Sequence, residues 1–105
     1  MANETIYLYR YAVSLHKEGW ATKKEVFAAT ETAKSYCYED RRISKSKLGI
    51  IDTIFYPHHS SYRFFLFSTE DNQDLFFGVL KRHIKAKAEI IKKELEAILS
   101  FTDNI

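Results

Sequence analysis

Residues 21–40 read ATKKEVFAATETAKSYCYED, and the fold turns on whether they form a helix or strands. Thr22 with Glu25 three residues on makes a capping box, and the alanines that follow suit a helix. Against this, Val26, Ala28 and Thr30 alternate with Glu25, Phe27 and Ala29. Three threonines and the run Tyr36-Cys37-Tyr38 also suit extended chain. A helix begun at Thr22 meets poor material from Thr30 onward. The expectation is two strands, over about residues 24–32 and 34–38.

Upstream, TIYLYRYAVSL at residues 5–15 places Tyr7, Tyr9, Tyr11, Val13 and Leu15 on one face at period two. That reads as a strand. Its tyrosine row has two readings. One is a platform for stacking bases. The other, preferred, is a row of core tyrosines whose hydroxyls reach the sheet rim. Gly19 in HKEGW marks a turn. Downstream, Ile43, Leu48, Ile50, Ile51, Ile54 and Phe55 offer core material, with Gly49 as a bulge or a close backbone approach. PHHSS at 57–61 reads as a polar loop tip. In YRFFLFS at 62–68, Tyr62, Phe64 and Leu66 face one way and Arg63, Phe65 and Phe67 the other. Both faces are largely apolar, so one should meet a helix and the other the opposite wall of a curled sheet.

The last third is helical in pattern. Ser68 or Thr69 is the expected cap, with Glu70, Asp71 and Asp74 near the positive end of the dipole. Phe76, Leu80, Ile84, Ala88, Ile91, Leu95 and Ile98 recur in steps of four and three. A helix from about Asn72 to Ser100 is about 40 Å long at 1.5 Å per residue. Strands of common length reach only about 20 Å. The helix should therefore outrun the sheet and leave its distal stripe uncovered. The fold class predicted is α+β, in one domain over 1–105. A small, curled, antiparallel sheet of about five strands, barrel-like, occupies about 5–68, and a long helix occupies about 70–100.

The totals agree with one ordered domain. The chain has 105 residues, 46% of them hydrophobic and 29% charged, which are globular values. A net charge of +2 and a pI near 8.6 are too mild to argue for nucleic acid by themselves. Cys37 is the single cysteine, so an internal disulfide is excluded and a reducing, cytoplasmic setting is expected. The first ten residues lack the pattern of a signal peptide, and no apolar run approaches membrane-spanning length.

Residues 31–52, ETAKSYCYEDRRISKSKLGIID, carry a resemblance. They are similar to small uncharacterised proteins of bacterial phages and prophages. Those share E-T-x-K-[TS]-Y, then R-I-x-K-S-x-L-G-x-[IV]-D, a late aromatic strand and a charged C-terminal helix. The matching residues are Glu31, Thr32, Lys34, Ser35, Tyr36, Arg42, Ile43, Lys45, Ser46, Leu48, Gly49, Ile51 and Asp52. The resemblance implies an antiparallel sheet followed by a helix, and a bacterial host cytoplasm. It implies no activity. Small proteins of this origin often bind a larger host protein, for instance to block a defence complex.

No catalytic or cofactor chemistry is expected. Gly19, Gly49 and Gly78 are isolated, so no phosphate-cradling loop can be built. His58 and His59 are adjacent, point apart in a strand and lack further ligands nearby, so neither metal nor cofactor is expected. His83 borders the helical stripe and His16 follows the first strand, neither within a motif. Cys37 reads as a small apolar filler between tyrosines.

Two binding modes remain. The favoured one is protein interaction through Ile84, Ala88, Ile91, Leu95 and Ile98, a short heptad-like seam. Its partner would be a host protein or a second copy in a homodimer. The alternative is nucleic-acid binding, with Arg41, Arg42, Lys45 and Lys47 joining Lys81, Arg82 and Lys85 into one basic face. The competing reading of residues 41–47 is a basic connection between strands.

Overall fold

A computed structural model describes residues 5–16, 18–59 and 61–103. Residues 21–40 are extended: β2 (Gly19–Glu31) and β3 (Ser35–Tyr38) take up both expected strands. β2 begins earlier than alternation alone suggested because it pairs with β1 (Thr5–His16) along its length, from Thr5 opposite Thr30 to His16 opposite Gly19. β4 (Arg41–Ser44), β5 (Asp52–Tyr56) and β6 (Ser61–Ser68) complete the sheet, and α1 (Gln73–Asp103) follows. The order across the sheet is β4-β3-β2-β1-β6-β5, antiparallel throughout, and the sheet curls into a half-barrel. The fold is α+β with six strands and one long C-terminal helix.

Period-two alternation gives the sheet two apolar faces. On the inner face, Leu8, Ala29, Tyr36, Tyr38 and Phe67 form one buried cluster, flanked by Phe27, Ile43, Leu48 and Phe65. On the other, Tyr11, Val13, Phe64 and Leu66 meet Leu80 of α1, with Phe76, Phe77 and Ile84 beside them. The expected division of β6 therefore holds: Phe64 and Leu66 meet the helix, while Phe65 and Phe67 face the curl. Gly49 sits at φ +76 and donates its N–H to the Phe67 carbonyl at 2.8 Å. This close approach draws the segment after β4 across to β6 and helps close the curl.

Three expectations need correction. The helix cap is Asn72, whose Oδ1 accepts the Leu75 amide at 3.1 Å. Ser68 still belongs to β6, and its hydroxyl accepts the Glu70 amide instead. Ile54 and Phe55 are exposed rather than core, because β5 is an edge strand with one neighbour, and Ile50, in the segment before β5, is exposed as well. Arg41–Ser44 form a strand of their own; only Lys45–Lys47 makes a connecting 3₁₀ turn.

Candidate interaction surface

α1 is about 46 Å long at 1.5 Å per residue, and only its first part lies on the sheet. Phe76, Leu80 and Ile84 pack against β1 and β6, and Leu80 is fully buried. From Lys85 to Asp103 every helical residue is exposed. The chain consequently spans 70 Å along its longest axis and 27 Å across the others. The stripe continues past the sheet without cover: Ile91, Leu95 and Ile98 are 50%, 54% and 60% exposed, with Ala88 in line. Ile90, Leu99 and Phe101, absent from the sequence-level seam, are exposed as well. At 100° per residue Leu99 widens the apolar stripe to about 100°, while Ile90 and Phe101 lie on a separate strip beyond Lys87 and Glu94. The signal that would have found them is apolarity beside the seam rather than at heptad steps.

The basic segment divides. Arg41 and Arg42 are successive residues of β4, opposite Tyr38 and Cys37, so they lie on opposite faces of the edge. Both are exposed, as is Lys47. Lys45 pairs with Glu31 at 2.8 Å, and its ammonium lies 5.4 Å from the centre of the Tyr36 ring. It is thus held on the inner face of the sheet, opposite the helix that carries Lys81, Arg82 and Lys85. Those three are exposed on α1. Other residues of the motif are occupied by the fold. Thr32 and Ser35 lock the β2–β3 turn through reciprocal bonds of 2.8–3.1 Å. Ser44 and Ser46 share a hydrogen bond of 2.9 Å, and Ile43, Leu48 and Gly49 serve core and closure.

Tyr11 is a core residue, fully buried and stacked on Phe76 at 4.9 Å, so the tyrosine row is not a free platform at its centre. Tyr7 stays exposed. His58 is exposed at the Pro57–His59 turn, while the His59 side chain lies outside the described residues. Among the described residues no three His, Cys, Asp or Glu side chains come together as metal ligands. His83 meets the edge of Phe64 at 6.0 Å, and its buried Nε2 has no hydrogen-bond partner among the described residues. Cys37 is half-buried and lines an open cleft of about 500 Å³ with Thr5, Thr30, Asp40, Arg41 and Arg42. No helix among the described residues is long and apolar enough to cross a membrane.

No protein-family model, curated protein or solved structure matches the chain.

Proposed function

We propose that this is a non-enzymatic interaction protein that binds another protein through the exposed part of α1. The observation behind it is the uncovered stripe of Ala88, Ile91, Leu95 and Ile98, continuous with the residues that hold the helix to the sheet. Fully burying one such side chain is worth about 1.5–3 kcal/mol, so covering these half-exposed ones offers about 1 kcal/mol each. The resemblance to phage and prophage proteins adds a setting: a bacterial cytoplasm, and a host protein complex as the class of target to inhibit. Affinity capture from bacterial lysate tests this, with the protein and its Leu95→Lys variant as paired baits. Proteins held by the first and lost by the second support the reading. Identical captured sets from both baits would count against it.

A second reading keeps nucleic acid as the partner, because Arg41, Arg42 and Lys47 are exposed and carry no ion pair among the described residues. Phosphate binding weakens steeply with salt, whereas an apolar seam does not. Absence of any gel shift with mixed DNA and RNA at low salt removes it.

A further inference from the structure

We infer that the surface on α1 is covered by a second copy of this chain, the two helices running antiparallel. The inference rests on the reading that the stripe is an interface, and it names the occupant. The free part of the helix, residues 85–103, has segregated charges. Lys85, Lys87, Lys92 and Lys93 against Glu89 give its first half +3, and Glu94, Glu96 and Asp103 give its second half −3. Antiparallel pairing sets each +3 half beside a −3 half. Parallel pairing sets like against like at both ends, which selects against that orientation.

The helix's own field makes the same point. A lone helix favours acids near its N-terminus and bases near its C-terminus. The last turn of α1 holds Asp103 and no basic residue. That acid is unfavourable at its own helix end and, in an antiparallel pair, lies beside the partner's lysine-rich half. Sterics agree. The sheet occupies the same side of α1 as far as Ile84, so only the free segment can pair along the stripe. Two such segments overlap fully when centred near residue 94, with the two sheets at opposite ends. A lone helix segment of this length without packing is marginal in water, so a partner along it also supplies what keeps it helical.

Light scattering on the purified chain should report twice 12.4 kDa, and Leu95→Lys should halve it. Orientation is read in a Cys37→Ser background carrying a spin label at Asp103→Cys. Antiparallel helices centred near residue 94 place the two labels about 25–30 Å apart, and parallel ones about 10 Å apart. Charge gives an independent measure. Glu94→Lys with Glu96→Lys should weaken self-association at least about tenfold at low salt. Adding Lys85→Glu and Lys87→Glu should restore it. A parallel pair would be strengthened by the first change, since its second halves go from −3 against −3 to +1 against +1. Labels about 10 Å apart, or a half-reversal that fails to weaken association, overturns the proposal. A monomer up to about 1 mM also overturns it. If that monomer still captures a lysate protein in a Leu95-dependent way, the interface reading survives without this occupant; if it captures none, both fall.

Discussion

The Tyr11 hydroxyl accepts the backbone N–H of Asn72 at 3.0 Å, joining the middle of β1 to the residue that caps α1. The same hydroxyl donates to the Glu70 carbonyl at 2.8 Å, so one phenol fixes where the chain turns from sheet to helix.

Tyr11→Phe keeps the ring stack on Phe76 and removes both bonds. The expected loss is about 1–2 kcal/mol, or about 5–10 °C in Tm, read by thermal unfolding. Burial raises the Tyr11 phenol above its ordinary 10.0, although the Asn72 amide opposes the rise. A raised folded pKa gives stability that is complete below the unfolded value and lost as pH climbs through the folded one. The wild type should therefore lose stability above about pH 10 more steeply than Tyr11→Phe. Superimposed alkaline limbs in urea titrations would exclude this role for Tyr11.

Glu25 lies between two guanidiniums, 2.7 Å from Arg10 and 3.0 Å from Arg63. Burial pushes its carboxyl up, but the hydrogen bond and charge of Arg10, with Lys23 and Arg63, outweigh burial and hold it below 4.5. The stability this gives is present above the unfolded pKa and lost as pH falls through the lower, folded one. Glu25→Gln should cost about 1–2 kcal/mol at neutral pH, since the site is only partly buried. It should also flatten the decline on the acid side of about pH 4.5. Equal acid limbs for variant and wild type would rule out Glu25 as the group responsible.

The β3–β4 turn is made by Glu39 and Asp40 at φ 44 and 59. Two successive positive φ values fit the hairpin turn that favours Asn-Gly. Glu39→Asn with Asp40→Gly should stabilise the protein by about 1–2 kcal/mol. Gly49→Ala should do the opposite by a similar amount, about 1–2 kcal/mol. A Cβ there would meet no atom within 4 Å, so the penalty would be conformational alone. Denaturant midpoints moving the other way would refute this account of the backbone.

Helicity of residues 85–103 should depend on protein concentration. Far-ultraviolet circular dichroism should gain helix signal as the protein is concentrated, and Leu95→Lys should hold the dilute value throughout. At dilutions where the wild type is monomeric, the sheet should unfold at the same denaturant midpoint in both, because Leu95 touches none of its core. A signal independent of concentration would mean the helix sustains itself.

Residues 24–38 were legible as strands because alternation persisted where helix propensity faded. The overhang was legible too, since it follows from counting residues along a helix and a strand. β4 was not, because its turn carries Glu39-Asp40 where a hairpin would usually announce itself with Asn or Gly. Ile54 and Phe55 were misplaced because apolarity cannot say which strand lies at an edge. The cap was misplaced because Ser68 and Thr69 have the right chemistry, yet β6 extends through Ser68 and leaves capping to Asn72. The basic run hid its ion pair for a related reason: Lys45 meets Glu31 only once β2, β3 and β4 are side by side.

The strand order also fixes a sequence of events in folding. β1 with β2, β3 with β4, and β5 with β6 are neighbours along the chain, and each pair can zip from its own turn. Only β1 with β6 is remote, since Val13 must find Phe64 across the intervening strands. Closing that loop is the entropically expensive search, and it precedes any surface on which α1 can dock. Ala12 and Phe65, which face each other across that junction, are thus where a substitution should slow folding most, whereas changes beyond Ile84 should leave the folding rate untouched.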